Sequence, residues 1–170
     1  MRIPSTLPTA LAAAFAATAL IAGCGSEPVE DPPAAEAPAA DAYDPGRFDE
    51  RPAGVVRAYL QAQDALAHDR FEEAAAALTA LAVHATDDLR PLAESAAQAA
   101  DLAGARLAFR DLSAKLIESP LPEGLGVAFC PMAFDNEGGR WIQAEGEIMN
   151  PYYGAAMLRC GVFEGPDESG

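Results

Sequence analysis

The segment from about residue 54 to residue 118 carries apolar residues at helical spacing, interrupted by residues that end or begin helices. A first helix is predicted to end near His68, and Asp69 can cap a second one. A third helix is predicted to begin near Pro91 and a fourth to end before Pro120, although these two runs also fit one kinked helix. Because short connections favour antiparallel neighbours, the pattern predicts a small up-down bundle of three or four helices.

After residue 120 the helical spacing gives way to short apolar runs separated by turn residues. Residues 127–130 and 140–143 are predicted to be two strands with a turn between them. The predicted fold class is therefore mainly α, with a helical bundle and a C-terminal, turn-rich cap that contains a short β-hairpin. The domain is expected to span residues 54–163, and residues 164–170 are expected to form a disordered tail.

The N-terminus has the layout of a secretory signal, with Arg2 before an apolar stretch from about residue 11 to residue 21. Leu20-Ile21-Ala22-Gly23-Cys24 resembles a bacterial lipobox, in which Cys24 is lipidated after cleavage. Residues 1–23 are thus predicted to be a lipoprotein signal peptide, rather than an ordinary secretory signal followed by a chance cysteine. No Asp sits directly after Cys24, so we expect a lipid anchor in the outer rather than the inner membrane, facing the periplasm.

The composition of the segment after the predicted anchor differs from that of the helices. Residues 24–53 are rich in Pro, Ala and acidic residues, a composition that predicts a disordered tether. The whole chain has a formal net charge of −15 and a single Lys. Since binding to phosphates requires clustered basic residues, this charge argues against nucleic acid as a partner.

The candidate chemistry lies in one short segment near the C-terminus, which contains Cys130, Met132, Met149, Met157 and Cys160. Soft sulfur ligands of this kind select Cu(I) over hard cations. An extended chain at residues 130–132 would place Cys130 and Met132 on one face of a strand, and Met157 and Cys160 lie one helical turn apart. The segment therefore predicts a Cu(I) site with these four ligands and with Met149 as a fifth candidate.

The same two cysteines also fit a structural disulfide. Exported proteins are oxidised, and Cys130 and Cys160 form an even pair once Cys24 is lipidated. Closing this loop would stabilise the fold by about 3–4 kcal/mol. Both interpretations stay open, because a pair that binds Cu(I) when reduced can form a disulfide when oxidised. Trp141 and Tyr152 could either shield a metal site or fill the core.

The sequence does not indicate an enzyme. It contains no recognisable nucleophile–base pair, paired carboxylates or phosphate-binding loop, and Ser113 has no nucleophile motif around it. His68 and His84 are the only histidines. Neither is predicted to have a Cys or acidic companion at ligand spacing, so both are interpreted as solvated residues at helix ends.

Several motifs of the predicted domain resemble those of a bacterial family. They are residues 105–113, Cys130-Pro131-Met132-Ala133, Trp141-Ile142-Gln143, Asn150-Pro151-Tyr152-Tyr153-Gly154, and Met157 followed by Cys160-Gly161. Together they resemble a domain of unknown function that occurs in free-standing envelope lipoproteins and fused to periplasmic adaptor subunits of heavy-metal (copper/silver) efflux systems. The resemblance covers about residues 55–162. It implies copper handling, with an efflux adaptor as partner.

The leading hypothesis is therefore a lipid-anchored, periplasm-facing protein that binds a soft metal, Cu(I), for buffering or for transfer to an efflux system. The alternative hypothesis is a structural or interaction module of the cell envelope that is stabilised by a Cys130–Cys160 disulfide. In that case its acidic helical surface would contact another envelope protein.

Overall fold

The computed structural model describes residues 42–165, and within this range four α-helices precede a small sheet. The helices are α1 (Val55–Ala67), α2 (Phe71–His84), α3 (Arg90–Ala97) and α4 (Leu102–Ile117). Each of them packs against the next one along the chain. The prediction of a mainly α domain with a helical bundle is confirmed, and α3 and α4 are separate helices rather than one kinked helix.

Two aspartates lie just before helices, but only one of them caps its helix. Asp101 is extended (φ −154°, ψ 174°), and its side chain accepts a hydrogen bond in the first turn of α4 at 2.8 Å. The predicted cap of α2 is wrong, because Arg70 occupies the N-cap position and Asp69 adopts φ +58°. The Asp69 carboxylate instead accepts hydrogen bonds from Arg106 at 2.5 Å and from the Ala155 N–H at 3.0 Å. Asp69 therefore joins the helices to the C-terminal cap.

The C-terminal cap contains a three-stranded antiparallel sheet in the order β2-β1-β3. The strands are β1 (Leu125–Cys130), β2 (Gly139–Ala144) and β3 (Val162–Phe163). The predicted hairpin of β1 and β2 is confirmed, whereas β3 was not predicted. A one-turn helix, α5 (Ala133–Asn136), connects β1 to β2, and a 3₁₀ helix (Gly154–Met157) precedes β3.

The core lies between the helices and the sheet. Tyr59 of α1 stacks on Phe109 of α4 with ring centroids 4.9 Å apart. The Tyr59 hydroxyl lies 2.7 Å from the Ser113 hydroxyl and accepts a hydrogen bond from the Ile142 N–H of β2 at 3.1 Å. Burial raises the pKa of Tyr59. Ser113 is fully buried, and its hydroxyl takes part with the Tyr59 hydroxyl in the hydrogen bonds that link α1, α4 and β2.

The domain is longer than predicted at both ends. Residues 42–53 were assigned to the tether, but they form turns in which Phe48 is buried in the core. Arg47 binds Asp64 of α1 at 2.6 Å, and this ion pair together with Phe48 holds the segment in place. At the other end, the Glu164 N–H continues the β1–β3 pairing by donating to the Val127 carbonyl at 2.9 Å.

Several predictions concern residues outside the described range. The signal peptide, the lipidated Cys24, most of the tether and most of the C-terminal tail fall in residues 1–41 and 166–170. Within residues 42–165, no helix combines the length and the apolar character that crossing a bilayer requires.

Candidate functional site

Cys130 and Cys160 meet at the end of the sheet, although they are thirty residues apart in sequence. Cys130 is the last residue of β1 and is fully buried, while Cys160 lies just before β3 and is half-buried. Phe129 of β1 is paired with Val162 of β3. The antiparallel register therefore brings the residues just before β3, which include Cys160, back to Cys130 at the end of β1. The two Sγ atoms are 2.9 Å apart.

Asn150 holds the segment that carries Cys160. Its side chain is fully buried, and its amide nitrogen donates to the Cys160 carbonyl at 2.7 Å. Its amide oxygen accepts hydrogen bonds from the N–H groups of Tyr152 at 2.8 Å and Tyr153 at 3.3 Å. The Asn-Pro-Tyr-Tyr motif therefore has a structural explanation, since one buried amide forms hydrogen bonds with three backbone groups.

Gly161 is required beside Cys160 for two reasons. Its backbone has φ +139°, a conformation that side chains with a Cβ rarely adopt. A Cβ at this position would lie 2.8 Å from the ring of Trp141 and 3.0 Å from the Phe129 carbonyl. The glycine thus lets the chain pass close to β1, which is what positions Cys160 against Cys130.

The separation of the two sulfurs fits direct contact better than a shared metal ion. A disulfide bond is about 2.05 Å long, so the sulfurs need to approach by less than about 1 Å. Two metal–sulfur bonds of about 2.3 Å at a tetrahedral or wider angle would hold the sulfurs roughly 3.8 Å or more apart. In the reduced pair, the hydrogen bond with Cys130, assisted by burial, raises the pKa of the Cys160 thiol to about 11. A metal would have to displace that proton.

Met132 does not lie on the strand face predicted for it. β1 ends at Cys130, because Pro131 has no N–H with which to continue the ladder. Met132 has a helical backbone (φ −85°, ψ −14°), and its carbonyl accepts a hydrogen bond from the Tyr153 hydroxyl at 2.6 Å. Cys130 is fully buried whereas Met132 is 44% exposed, so the extended Cys-x-Met arrangement is wrong.

Met157 and Met149 have different surroundings. Met157 ends the 3₁₀ helix, and its carbonyl accepts a hydrogen bond from the Cys160 N–H at 3.0 Å, so the two residues share one tight turn. Met149 is buried, and its sulfur lies 3.4 Å from a guanidinium nitrogen of Arg159. Because this contact brings a positive charge next to the sulfur, it disfavours Met149 as a ligand of a metal cation.

Trp141 belongs to the core. It is fully buried, its ring meets Tyr152 edge-on with centroids 5.6 Å apart, and its Nε1–H donates to the Gln143 side chain at 2.9 Å. Of the two roles that the sequence allowed for Trp141 and Tyr152, the structure favours core packing.

A second group of polar residues, missed in the sequence, surrounds Asp64 on α1. The prediction of a solvated His68 is wrong, because its side chain is only 7% exposed and its Nδ1 lies 2.7 Å from the Asp64 carbonyl. Its Nε2 has no hydrogen-bond partner. His84 is exposed, as predicted. The missed signal was an Asp four residues before a His within an otherwise apolar stretch of helix.

Asp64 is itself an unusual group. It is 2% exposed, and its Oδ1 accepts from Arg47 at 2.6 Å while its Oδ2 has no partner. Burial raises the pKa of the Asp64 carboxyl above its ordinary value of 3.8, against the opposing effects of Arg47 and His68. The free energy cost of burying this carboxylate is therefore only partly offset by its ion pair.

A cavity of about 480 Å³ opens beside Asp64, between α1, the segment before it and the loop after β2. Its polar lining includes Arg47, Arg51, Gln63, Asp64 and Gln143. Gln63 and Gln143 are also almost fully buried. The volume lies in the range of pockets that hold small molecules.

The metal-ligating residues of the described range are otherwise dispersed. Among residues 42–165, no three His, Cys, Asp or Glu side chains are grouped so that they could hold a metal ion.

Comparisons with protein-family models, with curated proteins and with solved structures find no match to this chain. The resemblance to the envelope-lipoprotein domain therefore stays a prediction that is carried by the sequence motifs alone.

Proposed function

We propose that this chain is a lipid-anchored, non-catalytic interaction module of the bacterial cell envelope, in which a Cys130–Cys160 disulfide locks the C-terminal cap. The observation that carries the proposal is the 2.9 Å separation of the two sulfurs. The lipobox-like residues around Cys24 predict export to an oxidising compartment, where such a pair is oxidised.

The cap has a physical need for a cross-link. β3 contains only two residues, and much of the chain between β2 and β3 lies in turns. Short strands and turns bury little apolar surface per residue, so a covalent bond contributes a large part of their stability. The surface of the helical bundle is then available for contact with another envelope protein.

The test is mass spectrometry of the protein isolated from membranes, with free thiols alkylated before lysis. We expect a non-reduced peptide pair that joins Cys130 to Cys160, and an N-terminal peptide beginning at a diacylglyceryl-modified Cys24. The same digest after reduction and a second, isotopically distinct alkylation is the internal control. Recovery of Cys130 and Cys160 with only the first label would contradict the disulfide, and an unmodified Cys24 would contradict the anchor.

A second candidate function is Cu(I) binding by the reduced pair, and one observation favours it. Cys160 shares a tight turn with Met157 while its sulfur contacts Cys130, so two thiols and one thioether belong to neighbouring positions. Soft sulfur donors suit Cu(I), and these residues fit the ion if the two sulfurs separate and lose their shared proton. Cys130, Cys160 and Met157 would hold the metal, with Met132 as the exposed fourth donor.

This candidate is tested by titrating the reduced full-length lipoprotein, in detergent, with Cu(I) in the presence of bathocuproine disulfonate. Met157→Leu is expected to weaken transfer of Cu(I) from the chelator, because it removes a thioether without changing the side-chain volume greatly. Met149→Leu is the matched control and is expected to bind like the unaltered protein, since Arg159 already contacts that sulfur. Failure of the reduced protein to take Cu(I) from the chelator would eliminate this function.

A further inference from the structure

The two sulfurs of the cysteine pair are unequally placed with respect to solvent. Cys130 is the last residue of β1 and has no exposed surface. Cys160 is half-buried, and its thiol lies close to the surface of the domain. The two Sγ atoms are 2.9 Å apart. The pair can therefore be reached from solvent on the Cys160 side and not on the Cys130 side.

In thiol–disulfide exchange, this asymmetry determines which sulfur reacts. A thiolate attacks one sulfur of the disulfide, a new S–S bond forms, and the other sulfur leaves. The choice between the two sulfurs depends on access. Since Cys130 is fully buried, an external thiolate contacts Cys160 first. Cys130 is then the leaving group.

The surroundings of the pair suit a protein as the source of the attacking thiolate. Met132 and Val162 are large apolar side chains that are 44% and 63% exposed, and each lies two residues beyond a cysteine. Chain geometry keeps the Cα atom of each within about 7 Å of the Cα atom of that cysteine. β3 lies at the edge of the sheet, so one side of its backbone has no strand partner within residues 42–165. Exposed apolar side chains and a free strand edge are features that protein partners bind.

We propose that Cys160 is the exchange site through which a dithiol protein of the cell envelope reduces or forms the Cys130–Cys160 disulfide. The inference rests on the proposed function, because it requires that disulfide. The partner is a thiol–disulfide oxidoreductase with two cysteines, which docks against the exposed apolar residues and the edge of β3.

The reduction has two steps. A thiolate of the partner attacks the Sγ atom of Cys160, the bond between the partner and Cys160 forms, and Cys130 leaves as a thiolate that takes up a proton. The second thiolate of the partner then attacks the partner's own sulfur in this mixed disulfide, and Cys160 is released. Two electrons pass from the partner dithiol to the disulfide, and the reverse sequence forms it.

The first test traps the mixed disulfide. The oxidised full-length lipoprotein, in detergent, is mixed with a thioredoxin whose second active-site cysteine is replaced by serine, and the reaction is quenched with acid. Trypsin cleavage after Arg140 and Arg159 places Cys130 and Cys160 on different peptides. We expect thioredoxin on the Cys160 peptide and a free thiol on the Cys130 peptide. Thioredoxin on Cys130, equal amounts on both cysteines, or no adduct from a protein that carries the disulfide would overturn the proposal.

The second test does not require the native disulfide. Cys130→Ala and Cys160→Ala each retain one thiol of the pair, whose rate of reaction with N-ethylmaleimide is compared with that of the same variant unfolded in urea. We expect Cys160 to react within about tenfold of its unfolded rate and Cys130 at least about a hundredfold more slowly than its own. Circular dichroism checks that both variants are folded.

The two tests separate this inference from the proposed function. Equal protection of the two thiols in folded variants would overturn the exchange site even where the isolated protein contains the disulfide. Isolation of the protein without the disulfide would contradict the proposed function, whatever the two rates are. Should either variant fail to fold, the trapping experiment still decides the matter, because it uses the unaltered protein.

A matched pair of surface variants tests whether the partner is a protein. Val162→Thr keeps a β-branched side chain on β3 but removes apolar contact, so we expect thioredoxin trapping to slow about threefold and reduction by glutathione to stay unchanged. Val83→Thr is the control, since Val83 is 70% exposed on α2 and is expected to affect neither reaction. An unchanged trapping rate in Val162→Thr, or equal slowing with both reductants, would overturn the assignment of a protein partner.

Discussion

Replacement of Trp141 by alanine is expected to lower the free energy of unfolding by about 3–5 kcal/mol. Trp141 is fully buried, and its ring meets the Tyr152 ring edge-on, with the two ring centroids 5.6 Å apart. The Cβ that Gly161 lacks would lie 2.8 Å from the same ring, so Trp141 also supports the turn that carries Cys160. Its removal leaves a cavity between β2 and that turn, which the surrounding backbone cannot close completely.

The matched control for this prediction is Trp141→Phe, measured with the alanine variant by urea unfolding followed by far-ultraviolet circular dichroism. Phenylalanine keeps an aromatic ring in place but loses the Nε1–H that donates to Gln143 at 2.9 Å. The Gln143 oxygen still accepts from the Met149 N–H at 3.0 Å, so we expect a loss of only about 1–2 kcal/mol. A loss below about 1 kcal/mol in the alanine variant would show that Trp141 is not a core residue.

Reduction of the oxidised protein is expected to lower its free energy of unfolding by about 3–4 kcal/mol. The physical reason is that the disulfide restricts the unfolded chain, since it closes a loop between residues thirty positions apart. Cys130 is fully buried and both thiols already lie in contact, so oxidation requires little rearrangement of the native sheet. The measurement is urea unfolding with and without a thiol reductant.

The control for the disulfide prediction is the double variant in which Cys130 and Cys160 are both replaced by alanine. Its free energy of unfolding is expected to match that of the reduced protein to within about 1 kcal/mol and not to respond to the reductant. A reductant-independent midpoint in the unaltered protein would mean that the two cysteines are not bonded. The comparison isolates the cross-link, because the two oxidation states of the unaltered protein share the same side chains.

Most of the helical part could be predicted because its signals are local. Apolar spacing within a dozen residues identified α1, α2 and α4, and Pro91 marked the first turn of α3. The separation of α3 from α4 depends on Asp101, whose side chain acts as an N-cap. The same residue type at Asp69 does not cap a helix, because Arg106 and the Ala155 N–H compete for its carboxylate. Which aspartate caps a helix is therefore decided by tertiary contacts.

The pairing within the cap was less predictable, because it depends on residues that are distant in sequence. β3 has only two residues, and a strand of that length has no recognisable alternation. Met132 does not have the extended backbone expected for it, because Pro131 ends the hydrogen-bond ladder of β1. Met149 was predicted only as a fifth candidate ligand, and its contact with Arg159, ten residues away in sequence, could not be read from the local pattern.

The sequence by itself determined the helical bundle, the hairpin and the segment in which the sulfur residues lie, because spacing and turn residues act over short distances. The tertiary structure decided that Cys130 meets Cys160, since the register of β3 on β1 and the hydrogen bonds of Asn150 act across the fold. It also buried Asp64, because residues assigned to a tether pack against α1. Burial and partner choice depend on the whole packed chain, which explains why the burial of Asp64 and the contacts of the predicted sulfur residues emerged only from the three-dimensional arrangement.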